Sequence, residues 1–174
     1  MPDKPIDQLI SAPQIKEALH RLASEINDKY KTEEVLVVGV LKGSFIFMAD
    51  LVRQLTCPIR IDFMGAQSYG SGTISCGRVN LTKECDAPIR NQNVLILEDI
   101  IDSGCTTSFL RKYFEDRGAK SVRLCALISK PSRRKVDIDI DFLGFEIPDE
   151  FIVGYGLDYD EQFRNLNEIC IYNK

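Results

Sequence analysis

The segment from 93 to 108, which reads NVLILEDIIDSGCTTS, brings acidic, hydroxyl-bearing and glycine residues close together. Two adjacent acids, Glu98 and Asp99, follow an apolar run, and a small polar turn at 102–107 precedes an amphipathic stretch. Carboxylate oxygens suit Mg²⁺ as ligands, and the backbone N–H groups at a helix start bind phosphate. We therefore expect this segment to bind a sugar phosphate together with Mg²⁺.

The common nucleotide-binding fingerprints do not account for this segment. The chain contains neither G-x-G-x-x-G nor G-x-x-x-x-G-K-[ST], so its phosphate loop is of neither the Rossmann nor the Walker type. The plainer alternative is a strand end with surface acids, followed by a helix that is capped by Asp102. A binding site is the better interpretation, because the acids meet a hydroxyl-rich glycine turn directly after an apolar strand.

The elements that must position this segment follow from the hydrophobic pattern. Apolar runs alternate with amphipathic stretches, which predicts an α/β fold with a central, mostly parallel sheet flanked by helices. Strands are predicted at 35–41, 59–63, 78–82, 94–99, 122–128 and 142–147, and helices at about 12–29, after 44 and after 104. In open sheets of this class, ligands bind beyond the carboxyl ends of the strands. Glu98 and Asp99, the last residues of the strand predicted at 94–99, are at such an end.

Local signals give details of the helices. Ser11 and Gln14 are spaced as a capping box, and Gly118 is a good helix stop. One face of the second helix is predicted to carry Phe45, Met48, Val52 and Leu55, and one face of the third Phe109, Leu110, Tyr113 and Phe114.

Three segments between the elements have unusual composition. Residues 65–77 include four glycines and several small polar residues, which favours a loop that acts as a mobile lid. Aspartates at 137, 139 and 141 alternate with isoleucines, which is typical of a strand with one solvated face and not of a metal site. The basic residues at 133–135 are predicted to form a solvated turn.

Composition excludes several classes of protein. The chain has 174 residues with 44% apolar and 28% charged residues, which predicts a single globular domain over 1–174. The net charge of −4 argues against nucleic acid as the main partner. No apolar run approaches the roughly 20 residues that span a membrane, and the N-terminus lacks the apolar core of a signal peptide. Six cysteines without a CxxC pair, and one histidine, favour free thiols in a reducing cytoplasm over a zinc site.

The run LEDIIDSGCTT resembles the phosphoribosyl-diphosphate (PRPP) motif of the type I phosphoribosyltransferases. Leu41-Lys42-Gly43 is similar to the diphosphate loop of that family, and Ser68-Tyr69 to its mobile-loop pair. Lys130, with GFEIPD at 144–149 and VGYGLDY at 153–159, resembles the branch that acts on hypoxanthine or on hypoxanthine and guanine. The resemblance implies the type I phosphoribosyltransferase fold, with a small hood of terminal segments.

The resemblance also implies a reaction, in which a purine nitrogen displaces diphosphate from C1 of PRPP. Glu98 and Asp99 would contact the ribose hydroxyls and a Mg²⁺ ion, and Asp102 would be the general base near purine N7. The implied PRPP-binding set is Lys42, Gly43, Glu98, Asp99, Asp102, Ser103, Gly104, Cys105, Thr106, Thr107 and Arg164. The resemblance further implies a cis peptide bond between Leu41 and Lys42. The side chain of Cys105 would only fill space, and its sensitivity to oxidation is a hypothesis.

For the purine, the resemblance implies that Lys130 donates to the 6-oxo group and that Phe151 stacks on the base. The backbone of Ile152 would read the edge of the base, and Asp158 would be a second metal contact. On spacing alone these residues are a strand-end lysine, ordinary core residues and a surface acid. The family implies a homodimer or homotetramer, without nucleic-acid or membrane partners.

The sequence is also compatible with two other functions. A phosphoribosyltransferase that prefers xanthine or a pyrimidine is the nearer one, and the order of hypoxanthine, guanine and xanthine stays open. The second is a PRPP-sensing regulator with the same fold. The acidic balance and the presence of Asp102 and Lys130 argue against a regulator that binds nucleic acid.

Overall fold

A computed structural model describes residues 6–69 and 78–173. Its strands are β1 (Ile6–Ile10), β2 (Val35–Leu41), β3 (Ile59–Tyr69), β4 (Arg78–Lys83), β5 (Asn93–Ile101), β6 (Ser121–Ser129), β7 (Phe142–Glu146), β8 (Ile152–Val153) and β9 (Ile169–Tyr172). Its helices are α1 (Ala12–Tyr30), α2 (Phe45–Val52) and α3 (Cys105–Asp116), and a single 3-10 turn covers Pro131–Arg133.

The larger sheet has the strand order β4-β3-β2-β5-β6-β7. All of its neighbouring strands run parallel except β4, which pairs antiparallel with β3. The smaller sheet, in the order β1-β9-β8, is antiparallel and joins the two ends of the chain. The prediction of a central, mostly parallel sheet flanked by helices is confirmed, whereas β1 and β9 were not predicted.

The apolar strands form two cores because successive side chains point to opposite faces of the sheet. Val35 and Val37 of β2 pack in the core that contains α1 and α2. Leu36, Val38 and Val40 pack in the other core, against Leu110, Tyr113 and Phe114 of α3. Burial on both faces is what the continuous apolar run of β2 predicts.

The helix signals are confirmed in part. The backbone N–H of Ser11 donates to Gln14 Oε1 at 2.9 Å, and Gly118 follows α3 with a φ of 78°. The predicted apolar faces are wrong at two positions, because Phe45 is 43% and Phe109 is 38% exposed. In α2 the predicted Met48 is buried, together with Phe47 and Leu51, which were not predicted to be on this face.

Two predictions about loops are also wrong. The expected loop at 65–77 does not begin at Gly65, because β3 continues to Tyr69 through antiparallel pairing with β4. The rest of that expected lid, residues 70–77, lies outside the described residues. The aspartates at 137, 139 and 141 are in no strand, since Asp141 instead accepts a hydrogen bond from the backbone N–H of Leu124 and pairs with Arg123.

Cysteine chemistry departs from expectation at one position. Cys57, Cys85, Cys125 and Cys170 are free thiols, as predicted. Cys105 is disulfide-bonded, so the expectation of free thiols is wrong there. Among the described helices, none has the length and apolar character needed to cross a membrane.

Candidate active site

The site lies at the point in the larger sheet where the strand order reverses, between the parallel strands β2 and β5. β2 and β5 are neighbours, but β2 leads through α2 to β3 on one side, and β5 leads through α3 to β6 on the other. Such a switch point leaves a crevice at the carboxyl ends of the two strands. The loop at 41–43 follows β2 and the turn at 102–104 follows β5, so both predicted loops meet at this crevice.

Two adjoining cavities occupy the crevice. The first, of about 270 Å³, is lined by Val40, Leu41, Gly43, Ala66, Glu98, Asp99, Ile100, Ile101, Asp102, Ser103, Gly104, Thr106 and Thr107. The second, of about 570 Å³, is lined by Leu41, Lys42, Gly43, Gly65, Ala66, Gln67, Thr82, Lys83, Asp99, Ile100, Leu157, Asp158, Glu161 and Arg164. Because Gly43 and Asp99 line both, one elongated ligand could occupy the two cavities together.

Two adjacent carboxyl groups, the buried Glu98 and the half-buried Asp99, line the first cavity, and Asp99 also lines the second. Glu98 is buried, and this burial, with the neighbouring charge of Asp99, raises its pKa well above the ordinary value. Burial also raises the pKa of Asp99 to about 6, although hydrogen bonds from backbone N–H groups oppose the shift. Two adjacent carboxyl groups that resist ionisation in a polar cavity are a suitable place for a cation.

Gly43 allows the loop after β2 to approach these acids. A Cβ atom at Gly43 would lie 1.6 Å from Asp99 Oδ2, and one at Gly156 would lie 2.1 Å from the carbonyl oxygen of Gly43. The loop at 41–43 therefore lies between Asp99 and Gly156, with no room for a side chain at either glycine. The peptide bond between Leu41 and Lys42 is cis, as the family resemblance implied.

The turn at 102–104 forms a start for α3. Gly104 has a φ of 81°, which is a left-handed conformation that favours glycine, and α3 begins at Cys105. The first N–H groups of a helix have no intrahelical acceptor, so they are available to an anion. The segment after β6 holds the carbonyl groups of this turn: Lys135 N donates to Ser103 O at 2.9 Å, and Arg134 Nη1 donates to Asp102 O at 3.0 Å.

The loop after β8 forms the far wall of the second cavity. Arg164 is 19% exposed, donates to Gly156 O at 2.8 Å and pairs with Asp158 Oδ1 at 2.8 Å. Glu161 pairs with Lys42 Nζ at 3.0 Å and with Arg164 Nη2 at 3.5 Å. Lys42 and Arg164, both in the implied PRPP-binding set, therefore contact the same carboxylate in this structure.

A separate group of residues lies beyond the end of β6. Lys130 is buried, and its Nζ donates to Glu150 O at 2.6 Å. Phe151 exposes 43% of its surface, whereas Ile152 is 5% exposed. A buried ammonium group next to an exposed aromatic ring can bind a flat molecule that carries a hydrogen-bond acceptor.

Asp102 connects the group of Lys130, Phe151 and Ile152 to the turn at 102–104, called the phosphate turn below. Its Oδ1 atom pairs with Arg133 Nε at 2.8 Å, and Arg133 also reaches Asp149 at 3.2 Å. Arg134 contacts the hydroxyl group of Ser129 at 2.7 Å, in addition to the Asp102 carbonyl. The prediction of a solvated turn is confirmed for Arg133 and Lys135, which are exposed, and is wrong for the partly buried Arg134.

Sequence reasoning missed four charged residues of the site. These are Lys83, Glu161, Arg133 and Arg134. No local spacing pointed to them, because each contacts residues from another part of the chain. Ser68 and Tyr69 are the last residues of β3. His20 is exposed on α1 and lines neither cavity of the site.

A magnesium site would depend on few protein ligands. In the part of the chain that the structure describes, no group of three His, Cys, Asp or Glu side chains has a metal-binding arrangement. Mg²⁺ is often bound by only one or two carboxylates, with water and substrate phosphates as the other ligands. Glu98 and Asp99 could supply these one or two carboxylates, because a cation beside them would favour their ionised forms.

Comparison with known proteins is consistent with this geometry. The sequence model of the phosphoribosyl transferase domain matches residues 5–160. The chain is 47% identical over 163 residues to the hypoxanthine-guanine phosphoribosyltransferase of Bacillus subtilis, covering 94% of this chain and 91% of that protein. It is also 47% identical to the hypoxanthine phosphoribosyltransferase of Salmonella typhimurium, covering 92% of each. A crystal structure of a Bacillus anthracis hypoxanthine-guanine phosphoribosyltransferase superposes with a TM-score of 0.91, at 47% identity over 95% of this chain and 97% of that one.

Proposed function

We propose, on the premise that this chain belongs to the phosphoribosyltransferase family, that it transfers the 5-phosphoribosyl group from PRPP to a 6-oxopurine. The acceptors are hypoxanthine and guanine, and the products are IMP or GMP and diphosphate, which is a purine-salvage reaction. One observation carries the proposal: a glycine turn at a helix start, a cavity bounded by Lys42 and Arg164, and a buried lysine beside an exposed aromatic ring lie along one edge of the sheet. The names of the similar proteins support the same reaction.

The sugar donor would extend through both cavities. The 5′-phosphate binds at the start of α3, against the backbone of 103–107, and the ribose hydroxyls contact Glu98 and Asp99. The diphosphate binds in the second cavity, between the loop at 41–43 and Arg164. The guanidinium group suits paired phosphate oxygens. Diphosphate would replace Glu161 as the partner of Lys42 and Arg164.

Mg²⁺ would be bound near Glu98 and Asp99, with Asp158 as a further ligand from the opposite loop. When bound, it neutralises charge on the leaving diphosphate and orients it. Asp158 has two other partners in this structure, since it pairs with Arg164 and accepts from the backbone N–H of Glu161 at 2.9 Å. Asp158 would therefore become available once diphosphate binds Arg164.

The purine would bind between the first cavity and Phe151. Lys130 donates to the 6-oxo oxygen, Phe151 stacks on the ring, and the backbone of Ile152 contacts its edge. An adenine presents an amino donor at position 6, so the ammonium group of Lys130 would face a second donor there instead of an acceptor. Asp102 accepts the proton from purine N7 as the ring attacks C1 of the ribose, and general bases of this kind contribute about 10²- to 10⁴-fold to a rate.

A panel of bases tests the proposal directly. The purified protein is incubated with PRPP and Mg²⁺ and, separately, with hypoxanthine, guanine, xanthine, adenine or uracil, and nucleotide formation is followed. We expect IMP and GMP and no AMP. A preference for xanthine or uracil would support a different phosphoribosyltransferase. Binding of PRPP without any nucleotide product would support a PRPP-sensing regulator.

The role of Asp102 is tested by Asp102→Asn, which keeps the size of the side chain and removes the base. We expect kcat to fall by about 10²- to 10³-fold while PRPP binding, measured by titration calorimetry, remains. The Asp116→Asn variant, at an exposed position at the far end of α3, is the matched control. Failure of the folded Asp102→Asn protein to bind PRPP would make Asp102 a phosphate-site residue instead of the base.

We propose further that the chain is one domain, 1–174, in which the smaller sheet is the hood, and that Ser68 and Tyr69 lead into the lid. A homodimer or homotetramer is proposed by analogy with the family, without nucleic acid or membrane as partners. A cytoplasmic location is proposed because PRPP is a highly charged substrate that does not cross membranes unaided.

A further inference from the structure

Arg133 occupies a position between the two parts of the proposed site. It lies on the 3-10 turn at Pro131–Arg133, directly after Lys130, and its backbone N–H donates to Lys130 O at 3.2 Å. Its guanidinium group pairs with Asp102 Oδ1 at 2.8 Å, and on the other side with Asp149 Oδ1 at 3.2 Å and Oδ2 at 3.3 Å. One arginine thus joins the proposed base to a second carboxylate.

The contact with Arg133 makes the two oxygens of Asp102 unequal. Oδ1 is shielded from solvent, yet the Asp102 side chain as a whole remains 43% exposed. The oxygen of the carboxylate that remains open to a ligand is therefore Oδ2. Oδ1 accepts no hydrogen bond, but its ion pair with Arg133 at 2.8 Å favours one orientation of the carboxylate and so gives Oδ2 a preferred direction.

The same turn therefore affects two neighbouring atoms of the purine. The 6-oxo group and N7 are adjacent on the ring, and Lys130 and Asp102 are the residues proposed to contact them. Arg133 is three residues from Lys130 along one backbone turn and contacts Asp102 directly. A shift of this turn would move both contacts together.

We infer that Arg133 is a positioning residue, which fixes Oδ1 of Asp102 so that Oδ2 faces purine N7, and that Asp149 holds Arg133 in place. The inference rests on the proposed function, because it assigns a role relative to the general base. Arg133 contacts no substrate in this scheme. Loss of Arg133 would therefore weaken only the interaction between Asp102 and purine N7, and it would leave PRPP binding unchanged.

The test combines Arg133→Met with a purine analogue in which carbon replaces N7. For Arg133→Met, we expect kcat/KM for hypoxanthine to fall about 10- to 100-fold, part of the general-base contribution. The KM for PRPP should stay within about twofold, and so should the inhibition constant of 7-deazahypoxanthine, which makes no N7 contact. Lys135→Met removes one charge from the same segment at an exposed position and should match the wild type.

Asp149→Asn tests the second contact. We expect a smaller loss than for Arg133→Met, and no additional loss in the double variant, because Asp149 acts only through Arg133. The inference is overturned by an Arg133→Met enzyme within about twofold of the wild type. It is equally overturned by a parallel weakening of hypoxanthine and 7-deazahypoxanthine, or by additive losses in the double variant. A wild-type protein that forms no nucleotide would instead overturn the proposed function.

Discussion

The carboxyl group of Asp99 is half-buried at the end of β5, beside the buried Glu98. Burial raises its pKa from 3.8 to about 6, so the folded chain binds this proton more tightly than the unfolded chain does. The free energy of unfolding therefore decreases as the pH rises from about 3.8 through about 6. At neutral pH, the ionised Asp99 destabilises the protein without ligand, and a bound cation would offset that cost.

Asp99→Asn should consequently stabilise the free protein while it impairs the reaction. We expect the free energy of unfolding at pH 8 to increase by about 1–2 kcal/mol, and the difference from wild type to disappear below about pH 4. Urea unfolding at several pH values measures this. Glu17→Gln removes an exposed carboxylate of α1 and should change little. A variant that is less stable than the wild type at pH 8 would contradict the assigned cost of ionisation.

The sequence predicts which residues belong to the site more readily than it predicts the contacts that those residues make. Glu98, Asp99 and the turn at 102–107 are contiguous, so a pattern of residue types was enough to predict a phosphate and metal site. The pair of Arg133 and Asp102 could not be predicted, because these residues are far apart in the chain and meet only when β5 and β6 align. The same applies to Glu161 and Lys42.

At the scale of elements, the loop at 41–43 depends on glycine in a neighbouring loop. Gly156 has a φ of 102°, and a Cβ atom there would lie 2.1 Å from the backbone oxygen of Gly43. Backbone cannot move aside as a flexible side chain can. Any larger residue at this position must therefore push the loop at 41–43 away from its present place or unfold the loop around Gly156.

Gly156→Ala should therefore weaken PRPP binding in addition to lowering the stability of the fold. We expect the Kd for PRPP to increase about tenfold or more, which is about 1.4 kcal/mol. Gly118→Ala is the matched control, because its φ is also positive, at 78°, but a Cβ there would meet only Arg90 at 3.7 Å. It should lower stability by about 1–2 kcal/mol without affecting PRPP. Equal PRPP affinities for the two variants would contradict the collision argument.

Asp62 of β3 secures the hairpin that forms one wall of the site. The side chain is 12% exposed, and it accepts hydrogen bonds from the backbone N–H groups of Asp86 and Ala87 at 2.7 and 2.8 Å. Burial acts to raise its pKa, but these hydrogen bonds, with those from Phe63 and Cys85, outweigh it and lower the pKa from 3.8 to about 2. This contribution to stability is present above about pH 3.8 and is lost as the pH falls through about 2.

Asp62→Asn should remove this charge-dependent contribution. We expect the free energy of unfolding at pH 7 to fall by about 1–2 kcal/mol, and the difference from wild type to narrow between pH 4 and pH 2. Chemical unfolding followed by circular dichroism across this range gives both quantities. The exposed Asp86→Asn should have a much smaller effect, because the side chain of Asp86 is 84% exposed. A difference that does not depend on pH would exclude the ionised carboxylate as its cause.

The strands that sequence predicted and those it missed differ in a physical way. β2 and β5 are buried on both faces, so their apolar runs are unmistakable. β1 and β9 are short and half-exposed, and they are recognisable only from their pairing across nearly the whole length of the chain. Residues 65–69 belong to a segment whose glycines and small polar residues indicated a loop, but their pairing with β4 makes them a strand.

At the scale of the whole molecule, the two sheets divide the proposed work between them. The larger sheet positions the phosphate turn and the acids, while the smaller sheet contains Ile152 beside the exposed ring of Phe151. Tyr172 of β9 connects the end of the chain to this ring, since its backbone N–H donates to Phe151 O at 2.8 Å. The ring of Tyr172 also stacks on Tyr159, with a centroid distance of 4.6 Å, and contacts Phe151 at 6.1 Å.

Tyr172→Ala should therefore affect the purine and leave the sugar donor unaffected. Each aromatic pair of this type contributes about 0.5–1.5 kcal/mol, so we expect the KM for hypoxanthine to increase about 3- to 10-fold and the KM for PRPP to stay within about twofold. Tyr172→Phe keeps the ring and removes the hydroxyl, and it should resemble the wild type. Steady-state kinetics with each substrate varied in turn separate the two constants. The proposed PRPP contacts lie at the edge of the larger sheet and in the loop that contains Arg164. An equal increase in both constants would therefore show that the smaller sheet supports the whole site and not the purine alone.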